Sequence, residues 1–200
     1  MTGPDVTDIR RGIDVVDDAT AELTDAARRF QDTLRGHRLA PERARAVAVE
    51  LDRLTAELEA AGAADQLGEM DLRPGWKGTG QTMVPHYEVL SSEDSTMHGT
   101  ITFSRFHLGA GIAVHGGALA LWVDDILGRL AHGVSEHLTR TANLHIEFRR
   151  LVPVGQPMEF TARVASRDGR KRRLRVALGH GGETAVEAEG LWIETRPPSA

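Results

Sequence analysis

The chain has 200 residues, of which 40% are hydrophobic, and its formal net charge at pH 7 is −5. A chain of this length can bury one ordinary core, and its acidic balance argues against a general nucleic-acid binder, because affinity for polyanions depends on clustered Lys and Arg. It has no cysteine, which excludes disulfides, thiolate catalysis, cysteine zinc sites and iron–sulfur clusters.

The start of the chain and its apolar runs bear on localisation. Residues 1–19, MTGPDVTDIRRGIDVVDDA, lack the basic and apolar regions of a secretory signal. No uncharged apolar stretch reaches the roughly 20 residues that a membrane-spanning helix needs. We therefore expect a cytoplasmic protein without a membrane span.

Two segments with the apolar pattern of an amphipathic helix precede the main domain; the line of apolar residues in each is called its seam. Apolar residues recur at steps of three and four over 9–34 and again over 47–61, which is the spacing of an amphipathic helix. Pro41 is well placed for the first turn of the second helix. The seams predict a helical hairpin in an N-terminal extension over residues 1–66, followed by a linker or loop over 67–82.

Residues 83–196 form the main domain, in which alternating apolar and polar residues surround one long apolar helix. The alternation predicts six strands, at 83–90, 95–104, 141–151, 158–166, 172–178 and 184–194. Turn signals at Asp168-Gly169 and at 179–183 indicate hairpins. One helix followed by an antiparallel meander predicts an α+β fold with the sheet wrapped around the helix.

The segment HGGALALWVDD, residues 115–125, begins this helix. A helix N-terminus carries unpaired N–H groups and a partial positive charge, and glycine lets a substrate approach the backbone closely. His115, Gly116 and Gly117 therefore indicate an oxyanion site. Glycines before a helix are also ordinary turn residues, and HGG recurs at 180–182, so the tripeptide alone is weak evidence.

The two adjacent acids of this segment have little polar surface to occupy, because the helix is apolar nearly all round over 118–131. Asp124 and Asp125 lie about 100° apart on the helical wheel and should face different environments. Either both occupy a solvated strip or pair with neighbours such as Arg129, or at least one lines a cavity. We favour the cavity, where a carboxylate could activate water.

Two stretches together carry a family resemblance. GAGIAVHGGALALWVDD (109–125) and RTANLHIEFRRLVPVGQPMEFTARV (140–164) resemble the hotdog-fold acyl-CoA thioesterases, in the phenylacetic-acid-pathway and THEM-like branch of the 4-hydroxybenzoyl-CoA thioesterase superfamily. The resemblance covers roughly residues 83–194. It implies a hotdog fold, an acyl-CoA substrate, and a homodimer or dimer of dimers with active sites at the subunit interface.

The resemblance also implies roles for individual residues. Asp124 matches the catalytic carboxylate, and Gly116 and Gly117 match the backbone N–H groups that polarise the thioester carbonyl. His115 matches a histidine that orients the helix start. Thr141 matches a Ser or Thr that helps place water or substrate. In such enzymes the acid and the helix N-terminus come from different subunits, so a monomer should be inactive.

Further residues are candidates for substrate contacts. Basic side chains outside the motif could bind the phosphates of coenzyme A, although charge runs at hairpin tips are usually solvated: Arg149, Arg170 and Arg172. Trp122 is either a core residue or part of an acyl pocket. Nothing in the histidine spacing demands a metal, so we expect no metal and no cofactor.

The sequence thus predicts an acyl-CoA thioesterase, with Asp124 as general base or nucleophile and the glycine amides as the oxyanion site. Two alternatives stay open. The first is a hotdog dehydratase or hydratase acting on β-hydroxyacyl thioesters, in which His115 would be the base. The second is a hotdog protein that binds acyl-CoA without turning it over, since fold does not fix function.

Overall fold

A computed structural model describes residues 18–61, 82–93 and 95–195 of the chain. Two helices come first, α1 (Asp18–Gly36) and α2 (Pro41–Ala61), followed by strands β1 (Tyr87–Glu93) and β2 (Thr96–Thr102). A one-turn 3₁₀-helix (Arg105–His107) leads to the long helix α3 (Gly116–Gly133). The remaining strands are β3 (Thr139–Phe148), β4 (Pro157–Asp168), β5 (Lys171–His180) and β6 (Glu183–Glu194). All six predicted strands and the central helix are present.

The strands form one antiparallel sheet in the order β1-β2-β4-β5-β6-β3. Strand β3 follows α3 in the chain but pairs with the last strand, β6, and so becomes an edge of the sheet. A bulge interrupts β3 between Thr141 and Asn143. The edge position leaves the outer backbone of β3 without a neighbouring strand in the described chain, which matters for assembly.

Both predicted hairpin turns are confirmed. Between β4 and β5 the chain reverses at Gly169, whose φ is +50°. Between β5 and β6 it reverses at Gly181 and Gly182, whose φ values are +58° and +82°. Positive φ is strained for residues with a Cβ, so these turns require glycine.

Helix α3 lies against β3, β4, β5 and β6, and its contact with them forms the core. Trp122 is fully buried and meets the rings of Phe103 and Phe160 edge-on, with centroids 6.4 and 5.5 Å away. Strand β5 alternates as predicted, with its even-numbered residues from 172 to 178 directed inward. Burying each large apolar side chain contributes about 1.5–3 kcal/mol, which fixes the orientation of α3 against the sheet.

The two N-terminal helices are present, and they differ in how they contact the rest of the chain. Helix α1 packs on the 3₁₀-helix. Helix α2 has no buried residue, and its apolar seam is exposed, with Leu51, Leu54 and Leu58 at 38%, 43% and 60%. Neither helix, nor any other in the described residues, is long and apolar enough to cross a membrane. The predicted helix portion before residue 18 and the linker at 67–81 lie outside the described residues, so the domain boundaries stay predictions.

Candidate active site

The start of α3 is built around His115, which is the N-cap residue. Its backbone is extended, with φ −64° and ψ 133°, and its Nδ1 accepts a hydrogen bond from the Gly117 N–H at 2.9 Å. Its carbonyl accepts hydrogen bonds from the N–H groups of Ala118 and Leu119, at 2.9 and 3.2 Å. The side chain and the carbonyl of one residue therefore engage three of the first amides of the helix.

This capping bond decides the tautomer of His115. An N–H group donates to Nδ1, so Nδ1 keeps its lone pair. While this hydrogen bond is present the ring is neutral and carries its proton on Nε2. Such a ring can donate a hydrogen bond from Nε2 but cannot accept a proton there, which is what a general base must do.

The Gly116 amide is the open donor at this helix end. Gly116 is the first residue of α3 and is exposed. Its N–H forms no hydrogen bond within the described residues. A Cβ added at Gly116 would lie 3.6 Å from the Phe148 ring, which is ordinary contact. Of the two predicted glycine amides, the structure thus leaves Gly116 available, whereas the Gly117 amide is held by the cap.

Asp124 and Thr141 meet although 17 positions separate them in the chain. The Thr141 hydroxyl donates to Asp124 Oδ1 at 2.8 Å. The bulge that follows Thr141 in β3 changes the register at this point. One carboxylate oxygen is thereby fixed, and Oδ2 makes no protein hydrogen bond in the described chain, so it can receive a proton from water or attack a carbonyl.

Asp125 points to a different element. Its Oδ2 accepts a hydrogen bond from the Tyr87 hydroxyl at 2.6 Å, and the Arg129 guanidinium lies 5.6 Å from the centre of the Tyr87 ring. Burial raises the pKa of Asp125 above its ordinary value. Burial, together with the Asp125 charge, also raises the pKa of Tyr87. The two neighbouring acids therefore have separate surroundings, and Asp125 ties α3 to β1.

Of the residues predicted to contact substrate, Arg170 and Arg172 meet at Glu194, whereas Trp122 and Arg149 lie elsewhere in the fold. Trp122 is in the core, and exposed Arg149 is paired with Glu147 and with Glu187, the latter at 2.7 Å. Arg172 is buried and donates to Glu194 Oε2 at 2.7 Å, while Arg170 donates to the Glu194 carbonyl at 3.0 Å. None of the four forms a hydrogen bond with Asp124 or Gly116 in the described chain. No group of His, Asp or Glu suited to a metal occurs among the described residues.

Sequence reasoning missed a group of exposed apolar side chains, of which Phe148 lies against Gly116. This apolar rim has three members, all strongly exposed: Ile112 at 80%, Phe148 at 56% and Leu151 at 78%. The Phe148 ring is in contact distance of position 116. Leu151 precedes Val152, whose carbonyl accepts a hydrogen bond from the Val114 N–H at 2.8 Å. For Phe148 and Leu151 the sequence signal was their position at the end of the strand predicted over 141–151. Tyr87 was also missed, although it is the single tyrosine of the chain.

Comparisons with known proteins agree with this geometry. Residues 111–178, which include α3, β3, β4 and most of β5, match the family model of the thioesterase superfamily. This part of the chain is therefore similar to the thioesterase superfamily. A solved thioesterase superfamily protein superposes on 87% of the present chain and 94% of its own, with a TM-score of 0.72 and 28% identity.

More distant solved structures confirm the hotdog fold of the region that contains α3 and the sheet. The PaaI protein from the E. coli phenylacetic acid degradation operon has a TM-score of 0.51 and 16% identity, over 56% of this chain and 80% of its own. A Streptococcus mutans protein bound to acetyl CoA has a TM-score of 0.52 and 15% identity, over 56% and 91%. No curated protein matches the chain.

Proposed function

We propose that this chain is an acyl-CoA thioesterase, which hydrolyses the thioester to a carboxylic acid and free coenzyme A. The observation that carries the proposal is Asp124, held at one oxygen by Thr141 and open at the other, on the helix that presents the unpaired Gly116 amide. The Streptococcus mutans structure with acetyl CoA bound, and a hypothetical thioesterase from Streptococcus pneumoniae with coenzyme A bound, share this fold and support this substrate class.

The reaction follows from the charges that develop. The Gly116 N–H donates to the thioester carbonyl oxygen and stabilises the negative charge that forms when the carbon is attacked. Asp124 takes a proton from water, whose oxygen attacks that carbon, or attacks it directly to give an anhydride that water then opens. The carbon–sulfur bond breaks as the carbonyl re-forms, and the leaving thiolate takes up a proton.

The spacing of these groups favours a site that is shared by two subunits. Asp124 follows Gly116 by eight residues, which is about 12 Å along one helix, too far for both to reach the same carbonyl group. We propose a homodimer or dimer of dimers, in which Gly116 faces Asp124 of the partner subunit. The free edge of β3 and the exposed apolar rim of Ile112, Phe148 and Leu151 support this assembly.

The hydrogen bond from the Gly117 N–H to His115 Nδ1 argues against the dehydratase alternative. A dehydratase needs an imidazole that accepts a proton, but Nδ1 is occupied by the Gly117 N–H and Nε2 already carries the ring proton. The ring can serve as a base only after the helix cap is broken. Exposed Arg149 and Arg170 remain proposed contacts for coenzyme A phosphates. The guanidinium of Arg172 is already used inside the fold.

The test is thiol release from short-, medium- and long-chain and aromatic acyl-CoAs, measured with a thiol-reactive dye. Wild type should release thiol from at least one class, and Asp124→Asn should lower the rate by on the order of 10²–10⁴-fold, because amide nitrogen cannot act as the base. Asp125→Asn is the matched control, since it keeps an acceptor for the Tyr87 hydroxyl. It should retain activity within a few-fold.

Three results would contradict the proposal. Thiol release from no substrate would favour a binding protein, and an unsaturated acyl product without free thiol would favour the dehydratase. Full activity in Asp124→Asn combined with loss in Asp125→Asn would show that the other acid is the catalytic one. Circular dichroism of each variant verifies that the fold is intact.

A further inference from the structure

The loop between β2 and α3 begins with a 3₁₀-helix whose N-terminal amides donate no hydrogen bond to the N-cap side chain. Its N-cap residue is Ser104, whose side chain makes no capping hydrogen bond. The Ser104 Oγ instead contacts His107 Nδ1 at 3.3 Å. The first amides of such a short helix have no carbonyl partners within it, so an acceptor must come from elsewhere.

Helix α1 supplies this acceptor. The Phe106 N–H donates to Asp32 Oδ1 at 2.9 Å, across 74 positions of the chain. At the other end of the turn, the Arg35 guanidinium donates to the Leu108 carbonyl at 3.4 Å. Helix α1 thus contacts both ends of the 3₁₀-helix, with a charge-assisted bond at the N-terminal end.

The same helix end packs closely on the loop. Gly36 closes α1 against the Arg105 side chain, and a Cβ at this glycine would lie 2.7 Å from Arg105 Nη1 and 2.9 Å from its Cδ. Both distances are shorter than ordinary contact, so a side chain at position 36 would require the flexible Arg105 side chain to move. The side chains of Phe106 and His107 meet edge-on, with ring centroids 5.4 Å apart.

The 3₁₀-helix in turn fixes the backbone of the motif histidine. The His107 carbonyl accepts a hydrogen bond from the His115 N–H at 2.8 Å. The loop between them is closed by the Gly109 N–H, which donates to the Ala113 carbonyl at 2.9 Å, and by a bridge between Leu108 and Val114. A shift of the 3₁₀-helix is therefore transmitted to His115 and to the amide that follows it.

We propose that Asp32 is a positioning residue for catalysis, and that α1 acts through it and the 3₁₀-helix to aim the Gly116 amide at the thioester oxygen. This inference rests on the proposed thioesterase function. Helix α1 then influences catalysis through this one contact, although it contributes no group to the reacting atoms. A displacement of about 1 Å in such a donor can change a rate by up to 10²-fold.

The test compares two substitutions of Asp32 with a control on the same helix. Asp32→Ala removes the acceptor and should lower kcat about tenfold while KM for acyl-CoA stays within about twofold, the size expected for one charge-assisted hydrogen bond. Asp32→Asn keeps an acceptor oxygen and should retain at least about half of kcat. Asp25→Ala removes a half-exposed carboxylate that bonds Arg28 in α1 at 3.2 Å and should leave kcat unchanged.

A second readout does not depend on turnover. Hydrogen exchange measured on peptides from 105–119 should be faster in Asp32→Ala than in wild type, with exchange in β5 unchanged. If wild type releases no thiol, the proposed function fails while this readout still tests the positional role. Unchanged kcat in Asp32→Ala would overturn the inference, even with a lowered melting temperature. Equal loss in Asp32→Ala and Asp32→Asn would overturn it too, as would equal exchange at 105–119.

Discussion

The Gly116 amide contributes one hydrogen atom to the proposed chemistry, and proline can remove that atom with little change elsewhere. Proline is favoured at the first position of a helix, and the extended backbone of His115, with φ −64° and ψ 133°, suits a residue that precedes proline. We expect Gly116→Pro to fold and to lower kcat by on the order of 10²–10³-fold, the cost of one oxyanion donor.

The matched control for this variant is Gly116→Ala, which adds a methyl group in ordinary contact with Phe148 but keeps the N–H. It should retain most of the wild-type kcat. The measurements are kcat and KM by thiol release, with thermal melts to verify folding. Wild-type kcat in a folded Gly116→Pro protein would exclude the amide from catalysis.

For single residues, the sequence identified the types that belong to the site but not their hydrogen-bond partners. The helix-wheel separation of Asp124 and Asp125 followed from the helical period alone. That Asp124 meets the Thr141 hydroxyl depends on a β3 bulge and on how α3 sits against the sheet. Whether His115 engages Gly116 or Gly117 depends on its side-chain rotamer, which no sequence pattern specifies.

Arg172 and Glu194 join strands β5 and β6 to the segment that follows α3. Glu194 Oε2 accepts from Arg172 at 2.7 Å, and its Oε1 accepts from the N–H groups of Glu136 and His137 at 2.8 and 2.7 Å. Burial alone would raise the pKa of Glu194, but these hydrogen bonds and the Arg172 charge outweigh burial and lower it. The stabilisation is therefore present above the ordinary pKa of 4.5 and is lost as the pH falls.

Removing one partner of this pair should be costly. We expect Arg172→Ala to lower the free energy of unfolding by about 3 kcal/mol at pH 7, because Glu194 would remain buried and partly uncompensated. The neighbouring Arg173→Ala removes an exposed side chain and should change it by less than about 0.5 kcal/mol. Urea denaturation measures both. Unchanged stability in Arg172→Ala together with a raised KM for acyl-CoA would instead support phosphate binding by this residue.

Periodicity predicted the elements well because it reports which face of each one is buried. It did not predict the sheet order, in which β3 pairs with β6, because that pairing joins segments distant in the chain. Nor does periodicity say what covers an apolar face. The seam of α2 has the spacing of a packed helix, yet Leu51, Leu54 and Leu58 are exposed in the single chain.

At the scale of the whole molecule, the proposed site is complete only when two chains meet. Each chain carries a donor at the N-terminus of α3 and an acid two turns later, too far apart to act on one carbonyl. A two-fold dimer would form two equivalent sites, each with Gly116 from one chain and Asp124 of the partner subunit. Two inactive variants with different defects can therefore complement each other.

We expect an equal mixture of Asp124→Asn and Gly116→Pro proteins to regain about one quarter of wild-type activity after subunit exchange. Random pairing makes half of the dimers mixed, and each mixed dimer has one site with both groups intact and one with neither. Thiol release from the mixture, against each variant alone, measures this recovery. The matched control mixes Asp124→Asn with a chain carrying both substitutions, in which no pairing yields an intact site. Activity that stays at background despite exchange, verified by mass spectrometry of the mixed dimers, would place donor and acid in the same chain.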